Sequence, residues 1–238
     1  MARSNDTQER LIEAAAGLWH ARSYADVGVS EICEVADVRK GSLYHFFSSK
    51  QELAVAVIDR HWRDAYETVL MPALAAGETP MAQLQELTIG IAGEVGRLTD
   101  ELGLMPGCPF GNLAGELSTI DGAVRERLER LFESQHEVLQ ELLDRAVAAG
   151  ELPEATDTGE AARAMLAYIE GVLLMSKNAN DASIARRLLP LALRLAVPST
   201  CVEARRGLTT YRSQPRTRPL QSVDERTGQL TSHGKAPR

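Results

Sequence analysis

The stretch that decides the fold is residues 37–50, which read Asp37-Val38-Arg39-Lys40-Gly41-Ser42-Leu43-Tyr44-His45-Phe46-Phe47-Ser48-Ser49-Lys50. A turn at Asp37 separates two short helical segments, because Asp is one of the few side chains that tolerate a left-handed backbone. In the second segment, Leu43 and Phe47 are four positions apart and predict one buried face. Polar groups and one flat ring remain on the other sides. This arrangement favours the recognition helix of a helix-turn-helix unit.

Two flanking segments complete a three-helix unit. A first helix carries one apolar face at Ile12, Ala15, Ala16 and Trp19. A short second helix spans about residues 29–36. Ser49 and Glu52 form a capping box that begins a longer helix ending near residue 70. We therefore predict an N-terminal helix-turn-helix DNA-binding domain in residues 1–50, with its recognition helix at about 39–46.

The following part of the chain, to about residue 200, is rich in Ala and Leu and predicts a bundle of longer helices. Asp121 and Asp157 are N-caps followed by apolar stripes. The last two helices, at about 157–177 and 182–197, are apolar on nearly every face, which predicts burial on all sides. In a chain of this size, such helices indicate a partner chain. We therefore predict an all-α fold and a homodimer that forms through these two helices.

Charge is unevenly distributed along the chain. The formal net charge is −7, which excludes a strongly basic nucleic-acid-binding protein but permits a local basic surface. Residues 37–50 hold three Lys and Arg against one Asp, and residues 203–238 hold eight Lys and Arg against three acidic residues. Apolar residues are sparse after residue 200. We expect residues 201–238 to form a basic, disordered tail.

Taken together, these segments resemble the TetR/AcrR family of bacterial transcriptional repressors. The resemblance covers residues 7–60 and rests on Leu11-Ile12-Glu13-Ala14-Ala15, Ser23-Tyr24, Val29-Ser30-Glu31-Ile32, Lys40-Gly41-Ser42-Leu43-Tyr44 and Phe47-Ser48-Ser49-Lys50-Gln51-Glu52-Leu53. It implies that residues 51–200 form a helical-bundle ligand-binding and dimerisation domain. It also implies a homodimer that binds a palindromic double-stranded DNA operator and is released by a small-molecule effector. The chain has Asp37, Arg39 and Phe46 where the family usually has Gly, Ser and His.

The predicted DNA contacts lie on and around the second short helix. Tyr44 and His45 are expected to face the major groove. Lys50 is expected to contact phosphate, because it stands at a helix start where N–H groups are free. Gly41 lets the backbone approach another chain or strand closely. The full set of DNA-binding candidates is Ser30, Arg39, Lys40, Gly41, Ser42, Tyr44, His45 and Lys50.

An effector cavity is expected among the helices of the second domain, and the helix that begins at Ser49 is the expected lever between it and the DNA-binding unit. The candidate contacts are His61, Trp62, Tyr66, Met105, Cys108, Phe110, Asn112, Phe132, His136, Met165 and Tyr168. Cys108 precedes a predicted helix start, where the macrodipole lowers the pKa of a thiol. It is either a sensor of oxidants or electrophiles or a packed, inert cysteine, and the second interpretation is favoured.

Other classes of protein are disfavoured by the same sequence. No apolar run reaches the length of a membrane span, and the N-terminus lacks the apolar segment of a secretory signal. The three cysteines and five histidines are scattered and predict no metal site. No cofactor or nucleophile motif is found, so we expect a cytoplasmic protein that is not an enzyme. Two alternatives remain: a helical enzyme and an interaction protein that does not bind DNA. An interaction protein would have no reason to carry the sequence from Lys40 to Lys50.

Overall fold

Helices make up the secondary structure of the described part of the chain. The computed structural model describes residues 2–197, with side chains from Asp6 onward. The elements are α1 (Ala2–Ala21), α2 (Val29–Val35), α3 (Lys40–Phe46), α4 (Lys50–Ala65), a π-helical turn (Tyr66–Leu70), α5 (Met71–Ala76), α6 (Pro80–Leu102), α7 (Pro109–Leu117), α8 (Gly122–Ala148), α9 (Thr158–Ala179), α10 (Ala182–Leu188) and a 3₁₀ helix (Leu189–Ala196). The predicted all-α fold is confirmed for residues 2–197, and none of these helices has the length and apolar character needed to cross a membrane. The tail predicted at 201–238 lies outside the described residues.

The first three helices form the predicted helix-turn-helix unit. Leu11 of α1, Ile32 of α2 and Leu43 of α3 are fully buried in their shared core. The turn before α3 is left-handed at Asp37, with φ 51°. Arg10 donates hydrogen bonds to the backbone oxygen of Asp37 at 3.0 Å and to its carboxylate at 3.2 Å. These bonds hold α1 against the turn. They stabilise Asp37 in a left-handed conformation that usually favours glycine.

The start of α4 is capped nearly as the sequence predicts. The hydroxyl of Ser49 accepts a hydrogen bond from the N–H of Glu52 at 3.1 Å. The carboxylate of Glu52 reaches back one residue further than expected, to the hydroxyl and the N–H of Ser48, both at 2.6 Å. These bonds lower the pKa of Glu52. The cap fixes where α3 ends and α4 begins.

The helix that begins at Lys50 continues beyond residue 70, where the sequence predicted its end. It changes into the π-helical turn and then into α5, which ends at Ala76. Pro72 supplies a physical reason, because its nitrogen carries no hydrogen and cannot close the usual bond to the residue four positions earlier. A π-turn accommodates such an interruption without ending the helix.

The later helices pack into a bundle. Thr79, Asp121 and Asp157 each accept a hydrogen bond from the N–H three residues later and cap α6, α8 and α9. α4 packs against both α1 and α8, and therefore joins the helix-turn-helix unit to this bundle. Because the described residues fall in one compact unit, the boundary between domains at residue 50 stays a prediction.

The last segment differs from the continuous helix predicted over 182–197. α10 ends at Leu188, and the chain continues as the 3₁₀ helix to Ala196. Pro190 lacks the N–H that would bond back along an α-helix, which explains the change. The tighter winding redistributes the leucines: Leu189 is fully buried, whereas Leu195 is exposed.

Candidate functional site

One face of α3 is open to solvent. The residues exposed in and around it are Ser30, Arg39, Lys40, Gly41, Tyr44 and His45, and Ser42 is half-buried. Leu43 points the other way, into the core. Among residues 6–197, no carboxylate forms an ion pair with Arg39 or Lys40. Within the described residues, and apart from the adjacent residues and the backbone of α3 itself, no atom lies within 4 Å of the place where a side chain at Gly41 would begin. Two free cations, a phenol and an imidazole thus share an accessible helical surface.

Lys50 is engaged inside the protein. Its Nζ donates a hydrogen bond to the backbone oxygen of Tyr24 at 2.5 Å. It also lies 3.9 Å from the ring centroid of Tyr24 and 5.9 Å from that of Trp19, an arrangement that favours a cation. Burial lowers the pKa of Lys50. The predicted phosphate contact of Lys50 stays a prediction, and at least one of its donors is used to hold the loop between α1 and α2.

Glu116, near the end of α7, holds the same loop. Its two carboxylate oxygens accept hydrogen bonds from the N–H of Tyr24 and the N–H of Ala25, each at 3.2 Å. Burial, together with the charges of Asp121 and Glu116, raises the pKa of Tyr24 to about 12. α7 is therefore bonded directly to the helix-turn-helix unit. The sequence carried no signal for this contact, because Glu116 lies 92 positions from Tyr24.

A cavity of about 610 Å³ lies between α1, α4, α6, α7, α8 and α9. Four of the predicted effector contacts line it: His61, Trp62, Cys108 and Phe110. Most of the remaining wall is apolar and comes from residues such as Leu139 of α8. The volume is in the range of sites that bind small molecules.

The other predicted effector contacts do not line this cavity; they are Tyr66, Met105, Asn112, Phe132, His136, Met165 and Tyr168. Met165 is fully buried in the core. The hydroxyl of Tyr168 donates to the backbone oxygen of Leu188 at 3.1 Å, and Nε2 of His136 bonds to the backbone oxygen of Gly159 at 3.2 Å. A helical pattern shows that a side chain faces inward, but not whether it meets a neighbouring helix or an empty space.

Charged groups of the cavity that the sequence analysis missed are mostly paired. Nε of Arg60 lies 2.9 Å from each carboxylate oxygen of Asp64. Arg97 bonds to Glu94 and to Glu101 at N–O distances of 2.5 to 2.9 Å. Each pair lies along one helix, where residues three or four positions apart are neighbours. Among residues 2–197, no group of His, Cys, Asp or Glu is arranged to hold a metal ion.

Two imidazoles meet where α1 and α4 face the cavity. The ring centroids of His20 and His61 are 5.4 Å apart in an edge-to-face arrangement. Burial, with His20 and Arg60 nearby, lowers the pKa of His61 to about 3. Burial also lowers the pKa of His20, although a hydrogen bond to the backbone of Gly107 opposes the shift. Both rings are therefore neutral at pH 7. Because His20 belongs to α1, the helix-turn-helix unit forms part of the cavity wall.

Cys108 and Glu170 meet at the start of α7. The Sγ of Cys108 accepts a weak hydrogen bond from the N–H of Gly111 at 3.5 Å, and the carboxyl of Glu170 lies beside it. Burial, then the charge of Glu170, raises the pKa of Cys108 well above its usual range. These effects exceed the influence of the helix start, which the sequence analysis expected to lower it. The thiol is therefore protonated at pH 7.

An apolar face of α9 has no partner within the described residues. Leu174 is 66% exposed and Met175 is 62% exposed. Leu195 and Val197, at the end of the 3₁₀ helix, are 41% and 55% exposed. Side chains of this kind are usually buried, so their exposure within one chain favours contact with another molecule.

Two family profiles match the chain. The family described as "Bacterial regulatory proteins, tetR family" matches residues 11–57, which span the helix-turn-helix unit and half of α4. The family described as "Tetracyclin repressor-like, C-terminal domain" matches residues 91–190, which include α7, α8, α9 and the cavity residues they carry.

Known regulators are similar to the chain over most of its length. An uncharacterized HTH-type transcriptional regulator of Lactococcus lactis subsp. lactis is 31% identical over 179 residues, which cover 75% of this chain and 87% of the relative. The HTH-type transcriptional repressor DhaR of Mycobacterium sp. (strain GP1) is 26% identical, and the match covers 84% of this chain and 96% of that repressor. A cysteine mutant of the TetR family regulator CifR, solved in complex with 26-bp double-strand operator DNA, has 23% identity and a TM-score of 0.62 over 80% of this chain and 96% of that chain. The chain therefore belongs to the TetR family of DNA-binding transcriptional regulators.

Proposed function

We propose that the protein is a homodimeric repressor that binds a palindromic operator and releases it when a small molecule occupies the cavity. The observation that carries this proposal is the open face of α3, where Arg39 and Lys40 are exposed without a carboxylate partner among residues 6–197. Operator DNA bound to CifR, and the repressor name of DhaR, support the same function. A protein with this function acts on DNA in the cytoplasm and needs no catalytic residues.

The proposed DNA contacts centre on α3. Tyr44 and His45 face base edges in the major groove, and Arg39 and Lys40 contact phosphates. The further proposed contacts are Ser30, Gly41, Ser42 and Lys50. Lys50 would contact phosphate only with the donors that its bond to Tyr24 leaves free.

The proposed dimer forms through α9, α10 and the 3₁₀ helix of two copies. Leu174 and Met175 have exposed side chains, and we expect them at the centre of this contact. A two-fold axis builds the interface from the same surface patch of each subunit. Two recognition helices held in this way would stand roughly 34–36 Å apart, one turn of DNA. A palindromic operator follows from the two-fold symmetry.

The proposed switch uses two elements that join the cavity to the DNA-binding unit. α4 contributes His61 and Trp62 to the cavity wall. α7 contributes Phe110 to the wall at one end and holds the α1–α2 loop through Glu116 at the other. A ligand releases DNA only if it binds two conformations with different affinity. Reversible occupancy is favoured over reaction at Cys108, because the raised pKa of that thiol leaves little thiolate.

Fluorescence anisotropy with DNA from the region flanking the gene tests the proposed function. Arg39→Ala should weaken binding to all sequences and lower the slope of log affinity against log salt by about one unit. Tyr44→Ala should reduce the preference for operator over unrelated DNA. Arg145→Ala, which removes an exposed cation at the end of α8, is the matched control and should change neither. Equal effects of Arg39→Ala and Arg145→Ala, or no binding by the unaltered protein, would contradict the proposal.

A further inference from the structure

Among residues 6–197, no Lys or Arg that lines the cavity lacks a carboxylate partner. Arg60 and Arg97 are its guanidinium groups, and each is bonded to two carboxylates. The partners are Glu9 and Asp64 for Arg60, and Glu94 and Glu101 for Arg97. The imidazoles of His20 and His61 are neutral at pH 7, because burial lowers the pKa of both. An anionic ligand would lose its hydration here without gaining a cation in return, which is unfavourable.

Glu170 has no cationic partner among residues 6–197. Its carboxyl lies beside Cys108 at the start of α7. It lies so close to α7 that a side chain at Gly111 would begin 2.5 Å from Oε2. Burial raises the pKa of Glu170, which reflects the cost of ionising a carboxyl in this place. A ligand that brought its own cation would remove that cost.

The surroundings of Glu170 suit an apolar or aromatic body. Trp62 and Phe110 line the same cavity, together with aliphatic side chains such as Ile169 and Leu173 from the helix that carries Glu170. The faces of aromatic rings attract cations, most strongly where water is displaced. The volume of about 610 Å³ admits a molecule considerably larger than a simple amine.

We infer that the cavity takes a lipophilic monocation, an apolar or aromatic molecule whose single ammonium group pairs with the Glu170 carboxylate. The inference deepens the effector site of the proposed function and rests on that function for its regulatory meaning. A charge-assisted hydrogen bond to Glu170 fixes the orientation of the ligand, and the apolar wall contributes most of the remaining affinity.

Three probes with one skeleton test this ligand class: 6-phenylhexylamine, 6-phenylhexan-1-ol and 6-phenylhexanoate, which carry a cationic, a neutral and an anionic head at pH 7. Their affinities for the full chain are measured by isothermal titration calorimetry without DNA. The ammonium should bind at least about tenfold more tightly than the alcohol, and the carboxylate least tightly. Binding of the carboxylate as tight as that of the ammonium, or no binding of the ammonium at millimolar concentration, would overturn the inference.

A pair of variants assigns the preference to one carboxyl. Glu170→Gln keeps the size of the side chain and should abolish the difference between ammonium and alcohol, while the affinity for the alcohol stays unchanged and reports that the variant is folded. Glu94→Gln, the matched control, removes a lining carboxylate that already has Arg97 as its partner and should keep the preference. Equal losses in both variants would refute pairing with Glu170. If Glu170→Gln fails to fold, the three probes on the unaltered chain still decide the ligand class.

Because the calorimetry is carried out without DNA, its outcome for the ligand class does not depend on whether the protein binds an operator. Binding that depends on Glu170, without release of an operator complex, would support the ligand class and contradict the proposed switch. Release of operator by an effector that binds equally well to Glu170→Gln would support the switch and overturn the ligand class.

Discussion

Glu116→Gln weakens the hydrogen-bonded contact between α7 and the loop that joins α1 to α2. The carboxylate of Glu116 accepts from the N–H of Tyr24 and the N–H of Ala25 at 3.2 Å each. Glutamine keeps one acceptor oxygen but turns an NH₂ group toward the other N–H, so that one bond is lost and two donors face each other. A hydrogen bond to a charged group contributes about 1.5–3 kcal/mol. Because Glu116 is half-buried and both bonds are long, we expect a local loss of about 1–2 kcal/mol.

Amide hydrogen exchange, resolved by NMR, measures this loss where it occurs. Exchange at a protected amide reports the free energy of local opening, and about 1.4 kcal/mol corresponds to tenfold faster exchange. The amides of Tyr24 and Ala25 should therefore exchange roughly tenfold faster in Glu116→Gln. Glu126→Gln changes an exposed carboxylate of α8 and should leave both amides unaffected. Unchanged exchange at Tyr24 and Ala25 in the Glu116 variant would refute the reasoning.

Three further predictions follow from burial. Leu174→Glu should give a folded monomer in sedimentation velocity, whereas Leu189→Glu, at a fully buried position, should unfold the chain; a dimeric Leu174→Glu would place the interface elsewhere. The pKa of His61 lies at about 3, below its ordinary value of 6.5, so the folded state binds fewer protons and stability should fall as the pH drops below 6.5, by at most about 1.4 kcal/mol per pH unit. Urea unfolding of His61→Phe at pH 5 and pH 7 should show a weaker pH dependence, and an unchanged one would contradict this assignment. The raised pKa of Cys108 predicts slow alkylation by iodoacetamide at pH 7 that accelerates as the pH rises above 9, followed by mass spectrometry; rapid alkylation at pH 7 would favour the reactive interpretation.

The distance along the chain over which each sequence signal acts explains how much of the structure that signal predicted. An N-cap acts within one helical turn, so Asp121 and Asp157 located the starts of α8 and α9 correctly. Pro190 is a local signal too, but the leucines around it favoured a continuous α-helix, and the sequence analysis therefore missed the change to a 3₁₀ helix. The cavity depends on the packing of six helices. No local pattern distinguishes Glu170 or His20, which face a space, from polar residues that face a neighbouring helix.

The hold of Glu116 on the α1–α2 loop has an evolutionary consequence, because it is made entirely to main-chain N–H groups. Ala25 is exposed, and any residue there that retains a backbone N–H keeps the bond; proline alone removes the donor. Related sequences can therefore diverge at position 25 while the connection persists, and correlated substitution between positions 25 and 116 is not expected. For the same reason, α3 could be exchanged for the recognition helix of another regulator to retarget the protein, with its link to the cavity intact.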